Sequence, residues 1–307
     1  MTATEYAEHN DDAYVTDEAH GENWTFMLGD SGERTAELPD ESVHLSIYSP
    51  PFQSLYTYSP SPRDMGNSLD KGDFFDQYSY IIRENLRITV PGGLACVHVQ
   101  QTSTTKATHG VIGLNDFRGD VIRAYQAEGW VYYGEVTVDK DPQAQAIRTK
   151  AQALMFATKN KDSSKSRPAM ADYLLIFKKP GDRPEPVKTD VTNDEWITWA
   201  HPVWYDIRES DTLNARIARE DDDERHLTPL QLSFIERCVR LYSNPGDTVF
   251  TAFGGVGSEL YGAVKHGRKA IGIELKASYW QTGTRYLREL DAEMNAPDLL
   301  DLLGDAS

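Results

Sequence analysis

The chain has 307 residues, a net charge of −17 and 39% hydrophobic residues, enough to build one large α/β domain or a domain with a small lobe. No apolar run approaches the roughly 18–20 residues a membrane helix needs, so a cytoplasmic protein without a membrane partner is expected. Cys96 and Cys238 each sit inside an apolar segment, which predicts buried free thiols, no disulfide framework and no metal site.

Residues 1–22 are acidic, polar and unpatterned and read as disordered, without a signal-peptide core. Trp24 to Leu28 reads as a strand ending at Gly29-Asp30. Val43 to Tyr48 is a second strand, and it runs into Ser49-Pro50-Pro51-Phe52. Two consecutive prolines cannot continue a ladder, so this strand must break there. Residues 56–73 are loop-like, and helical spacing covers 74–90 up to the terminator Pro91-Gly92-Gly93. A strand at 94–99, a helix at 115–129 and a strand at 130–138 follow. Residues 139–168 are basic and irregular, and 173–177 is a buried strand. Residues 182–226 hold prolines, tryptophans and mixed charge with little periodicity. A helix at 230–242 is closed by Asn244-Pro245-Gly246. Then come a strand (248–253), a glycine loop, a helix (258–266), a strand (270–274) and a last helix (278–294), with a flexible tail at 296–307.

Strands alternating with helices predict an α/β fold of Rossmann type, a mainly parallel sheet with helices on both faces. The expected units are 23–181 as one half of the domain, 182–226 as a small irregular lobe and 227–295 as the other half.

Two segments carry chemistry. Ser49-Pro50-Pro51-Phe52 holds a hydroxyl, exposed carbonyls and a ring side by side at a strand end. That set suits a flat base bearing an amino group: the oxygens accept its hydrogens and the ring stacks. An ordinary proline turn is the plainer reading. The second segment is Thr251-Ala252-Phe253-Gly254-Gly255-Val256-Gly257-Ser258, with Glu274 closing the next strand. Glycines between strand and helix let backbone approach a ligand, and an acid at the end of the second strand suits ribose hydroxyls. A dinucleotide loop would need a third glycine where Leu260 stands, and an ATPase loop would need Lys after Gly262. A ligand with a ribose and no pyrophosphate fits better.

Together these segments resemble the DNA amino-methyltransferases, the N-4 cytosine and N-6 adenine family, in the subgroup whose catalytic tetrapeptide precedes the cofactor loop. The usual Asp-Pro-Phe-x-Gly-x-Gly-Thr is altered here, with Thr251 and Ala252 at its first two positions. Trp204-Tyr205-Asp206-Ile207 and Asp211-Thr212-Leu213-Asn214 look like stretches of phage and mobile-element members. The resemblance implies a methyltransferase fold, S-adenosylmethionine as cofactor and double-stranded DNA as partner, with the target base flipped out. It implies cofactor binding by Asp30, Thr251, Phe253, Gly254, Gly255, Gly257, Ser258 and Glu274, and catalysis by Ser49, Pro50, Pro51 and Phe52. Ser at the first motif position favours cytosine N-4, although Tyr48 stands where cytosine-type members more often have Thr. Residues 182–226 become a target-recognition segment, its aromatics either lining that lobe or packing its core.

The net charge opposes a polyanion, but it is unevenly spread. Residues 1–41 hold twelve acids against Arg34. Between Asp139 and Arg167 the balance is +4, from Lys140, Arg148, Lys150, Lys159, Lys161, Lys165 and Arg167. This stripe is the expected DNA-contacting surface, with Arg63 in a loop that could close over the nucleotide. An RNA or small-molecule methyltransferase and a catalytically silent DNA-binding subunit remain alternatives. A homodimer is left open.

Overall fold

The structure, a computed structural model, describes residues 15–51, 63–68, 71–104, 106–149, 154–215 and 229–296. The chain enters through β1 (Asp17–His20) and β2 (Trp24–Leu28), then α1 (Ser31–Ala36) and β3 (Val43–Tyr48). A long helix α2 (Lys71–Ile88) returns it to β4 (Thr89–Gln100). A small hairpin, β5 (Thr102–Thr104) and β6 (Gly113–Asn115), flanks the four-residue α3 (Lys106–His109). Next come α4 (Phe117–Ala127), β7 (Val131–Val138), α5 (Pro142–Thr149), β8 (Asp172–Lys178), α6 (Asn193–Trp199) and β9 (Val203–Trp204). The chain then runs through α7 (Leu232–Tyr242), β10 (Thr248–Thr251), α8 (Ser258–Lys265), β11 (Lys269–Glu274) and α9 (Ala277–Met294).

One nine-stranded sheet takes the order β1-β2-β11-β10-β3-β4-β8-β7-β9. The five strands from β2 to β4 are parallel, and β8 runs antiparallel to both β4 and β7. Both faces of the sheet's centre are covered, so β3, β4, β8 and β10 are largely buried. Leu45, Ile47, Leu94 and Cys96 pack on one face with Phe234, Cys238, Leu260 and Leu287 from α7, α8 and α9. Val43, Tyr48, Ala95 and Val97 pack on the other with Phe74, Tyr78, Val121 and Tyr125 from α2 and α4. Cys96 and Cys238 are buried and free.

The sheet has a topological switch point. From β10 the chain crosses through α8 to β11 on one side, and from β3 through α2 to β4 on the other, yet β10 and β3 are hydrogen-bonded neighbours. A crevice opens where two parallel neighbours send their chains in opposite directions.

Several sequence readings need correction. Residues 17–20 lie inside the stretch read as disordered, but they form β1, because the free edge of β2 offers a ladder and Ala19 is buried against it. Pro91-Gly92-Gly93 ends no element in isolation: α2 already stops at Ile88, and β4 runs through the tripeptide. The pairing of β3 with β4 jumps from Val43↔Thr89 to Leu45↔Leu94. The tripeptide is therefore an irregularity, where the missing proline N–H breaks no regular rung. α1 was not foreseen; Asp30 caps it by accepting from the Gly32 and Glu33 amides. Residues 142–149, inside the stretch read as irregular, form α5.

Of the aromatics of the expected lobe, Trp199 and Trp204 pack as core, whereas Trp196 and Tyr205 are exposed. Trp204 is 1% exposed, donates Nε1–H to the Trp199 carbonyl and meets Phe234 edge-on. The same segment is tied down by ion pairs, Asp190 with the fully buried Arg268 at 2.8 Å and Glu195 with Arg240 at 2.8 Å. Among the described residues no helix is long and apolar enough to cross a membrane.

Candidate active site

At the switch point the two motif loops share one cavity of ≈ 850 Å³. Ser49, Pro50 and Pro51 line it from the end of β3, and Phe253, Gly254, Gly255 and Ser258 from the loop after β10. Asp30 and Glu274 line it from the ends of β2 and β11, two strands whose pairing sets Leu28 opposite Glu274. The side chain of Ser31 donates to the Ala252 carbonyl, fastening the start of α1 to the glycine loop.

The loop geometry explains its glycines. Gly254 lies so close to β2 that a Cβ would sit 2.6 Å from the Phe26 ring. Gly257 has φ 81, a left-handed conformation costly for other residues, and begins α8 beside Gly283. Neither Gly257 nor Thr251 lines the cavity. Thr251 is 1% exposed and turns behind the strand toward Gly272 of β11, so Ala252 and Phe253 face the opening instead.

This half of the cavity is acidic. Asp30, Glu33, Asp64, Glu259 and Glu274 line it, facing, among the described residues, Arg63 and Lys276. Glu274 accepts the Gly255 N–H at 2.7 Å and the Lys276 N–H at 2.7 Å. Burial nonetheless pushes its carboxyl up to about 7. Glu259, unremarked in the sequence, is pushed up to about 8 by burial and by the charge of Glu274. Burial also raises the Asp30 carboxyl, against the two capping amides. Such a wall suits a cationic ligand and repels a pyrophosphate. Ser258 lines it too, and its buried hydroxyl has no hydrogen-bond partner among the described residues.

The other half holds a buried polar chain. Ser49 Oγ lies 3.2 Å from His98 Nδ1 and 3.2 Å from the His98 carbonyl, to which it can also donate. His98 Nε2 lies 3.0 Å from Asp172 Oδ2. Lys140 Nζ reaches the same oxygen at 2.6 Å, and Gln100 donates to Asp172 Oδ1 at 2.7 Å. Burial opposes ionisation of Asp172, but the His98 ring and then the Lys140 ammonium outweigh it and hold the carboxyl below its usual range. The sheet assembles this cluster: Asp172 opens β8 opposite Gln100 of β4 and Val138 of β7, and Lys140 stands two residues past the end of β7. His98 and Asp172 escaped the sequence reading. The available signal was polar residues breaking two otherwise apolar strands at their active ends.

Lys140 thus does not belong to an exposed basic stripe, since its side chain is 2% exposed and paired. Arg167 is half-buried and donates to the Gly113 carbonyl and Ser103 Oγ, tying residues 154–167 to the hairpin. Lys159, Lys161 and Lys165 are exposed. Arg63 lines the cavity on its acidic side, paired with Glu33. Phe52 and Lys150 lie outside the described residues, as does the side chain of Arg148.

A parallel α/β sheet with a ligand loop after one central strand and a polar grip after its neighbour defines a Rossmann-like transferase cleft. Residues 43–285 match the model of the family described as DNA methylase, the N-6/N-4 methyltransferases. The type II methyltransferase M.MjaI of Methanocaldococcus jannaschii is 24% identical over 287 residues, covering 83% of this chain and 88% of that protein. Among solved structures, a putative DNA modification methylase of Thermus thermophilus, complexed with S-adenosyl-L-methionine, superposes with TM-score 0.65 at 24% identity, covering 86% of this chain and 94% of that one. PvuII DNA methyltransferase, cytosine-N4-specific, gives 0.60 at 19% identity, covering 92% and 94%. The chain belongs to the DNA methylase family. It is an S-adenosylmethionine-dependent DNA amino-methyltransferase.

Removing one partner of a buried ion pair strands the other charge. Lys140→Met is expected to cost about 3 kcal/mol or more of unfolding free energy, whereas Lys159→Met leaves the denaturation midpoint unchanged. Urea titration of the two variants distinguishes a buried from a surface role.

Proposed function

We propose that the protein methylates the N-4 amine of cytosine in duplex DNA, with Ser49 and the Pro50 carbonyl as acceptors for that amine. One observation carries the reading: the hydroxyl grip after β3 and the acidic glycine-loop site after β10 open into a single cavity. An exocyclic amine is a poor nucleophile, because its lone pair is delocalised into the ring. Two acceptors that orient it and favour its pyramidal form address that difficulty directly. Ser at the first motif position supports cytosine. Tyr48 does not weigh against it, because its ring is wholly buried in the core and its hydroxyl bonds Asn85 at 3.2 Å, away from the cavity.

S-adenosylmethionine supplies a methyl group activated on a sulfonium when bound. The acidic wall, the partnerless Ser258 hydroxyl and the close backbone at Gly254 all fit that cation. Glu274 would accept the ribose hydroxyls, and Asp30 would sit at the adenine end. The carboxylate form is the better acceptor, so affinity should fall with acidity. With Glu274 near 7, its ionised fraction falls about tenfold between pH 8 and pH 6. Calorimetry of cofactor binding is expected to show about that loss in the wild type and a much flatter profile in Glu274→Gln. Parallel profiles would remove Glu274 from the site.

Mass spectrometry of nucleosides from DNA treated with the purified protein tests the reaction itself. The expected product is N-4-methylcytosine, with turnover at least about 100-fold lower in Ser49→Ala and cofactor affinity unchanged. N-6-methyladenine alone would move the reading to the other base; methylated RNA with untouched DNA would move it to another polymer.

DNA would approach along the exposed Lys159, Lys161 and Lys165, next to a hairpin whose Thr102 and Ser103 line the cavity mouth. Phosphate contacts there position the duplex without reading sequence. Neutralising all three lysines is expected to weaken every duplex alike and lower the salt slope by roughly 0.9 per lost contact. An unaltered affinity and slope would leave these lysines as solvated surface.

A further inference from the structure

The chain Ser49–His98–Asp172 has a role that neither motif contains. We propose that His98 is a positioning residue for the methylation: it holds the Ser49 hydroxyl proton on Nδ1, leaves the Ser49 oxygen free to accept from the target amine, and takes up the proton that the amine sheds. This rests on the reading of Ser49 as the base acceptor.

The geometry is compatible with this set of hydrogen bonds, in which Ser49 donates to His98 Nδ1 in preference to the equally distant His98 carbonyl. Asp172 is a carboxylate, bonded to Lys140 and Gln100, so the proton shared at 3.0 Å must sit on His98 Nε2. A neutral ring then presents Nδ1 as an acceptor, 3.2 Å from Ser49 Oγ. Lys140 balances Asp172 and itself lies 3.8 Å from Glu209, and the His98 ring also meets the Phe234 ring edge-on. A buried carboxylate orienting an imidazole that orients a hydroxyl is a proton-handling arrangement. A serine that needed only to sit in a turn would not require it.

The step balances. The amine nitrogen forms its bond to the methyl carbon with its lone pair, as the C–S bond breaks and that pair stays on sulfur. The surplus N–H proton passes to Ser49 Oγ, the Ser49 proton to His98 Nδ1, and the resulting imidazolium rests on Asp172 until solvent removes the proton. A ring protonated beforehand donates to Ser49 instead, making its oxygen a poorer acceptor. Turnover should therefore fall on the acid side as His98 protonates.

Two substitutions separate the parts. His98→Gln can still donate to Asp172, keeping the buried cluster satisfied, but offers Ser49 no acceptor. His98→Asn can accept from Ser49 but holds no proton. Single-turnover rates across pH, cofactor calorimetry and thermal unfolding are measured on both, and the His98 ring protons are titrated by NMR in the wild type. Expected are at least tenfold slower transfer in each, His98→Gln the slower, unchanged cofactor affinity, and loss of the acid limb. The wild-type limb should share its midpoint with the His98 ring titration, and His98→Asn placed in Ser49→Ala should cost nothing further. A folded variant keeping the wild-type rate and acid limb overturns the proposal, as does a ring titration that departs from the limb if neither variant folds. Should the wild type itself methylate no base amine, the reading of Ser49 falls first, and that result is separate.

Discussion

The hydrogen-bonded pairing of β10 with β3 is the constraint on which the rest depends. Each is a parallel strand whose chain leaves in the opposite direction, so no connection crosses the gap between their carboxyl ends. The cleft is a consequence of topology, and each loop is free to carry its own chemistry. A glycine run after β10 lets backbone come close to a ligand; a double proline after β3 stops the ladder and turns its last hydroxyl into the opening. Residues far apart in sequence meet because the sheet brings two strands into register.

Charge then divides the cleft. Toward β11 and β2 the wall is acidic, and burial makes that acidity conditional on pH, with Glu274 and Glu259 both pushed up toward neutrality. Toward β4 and β8 the buried charges are paired, Asp172 being compensated by Lys140 and hydrogen-bonded to His98. A negative surface adjoins a hydrogen-bonding one, the pairing that the proposed cation and base would need. The exposed lysines of residues 154–167 belong to neither lining.

The fold was legible wherever local chemistry decides an element. Trp24–Leu28 and Val43–Tyr48 have the bounds read from sequence, because Gly-Asp and Pro-Pro end them unambiguously. Helices α7, α8 and α9 were legible from spacing and from Asn244-Pro245-Gly246. Elements made by tertiary pairing were not. β1 forms only because β2 needs a neighbour, and β4 passes Pro91 only because β3 tolerates a shift there. The same division holds in the site. Ser49 and Glu274 announce themselves through motifs, but His98, Asp172 and Lys140 become one cluster only after β4, β8 and β7 align. Counting Lys140 with surface lysines followed from reading charge along a segment, when the sheet edge buries that one position.

A crystal structure with the demethylated cofactor product and a cytosine-containing duplex tests the shared cleft most directly. The expected complex has the cofactor sulfur facing Ser49, the ribose on Glu274, and a flipped cytosine whose amine would lie about 3–3.5 Å from the transferred methyl. A cofactor bound with its sulfur turned away from Ser49, or a base seated outside the cavity between β10 and β3, would contradict it.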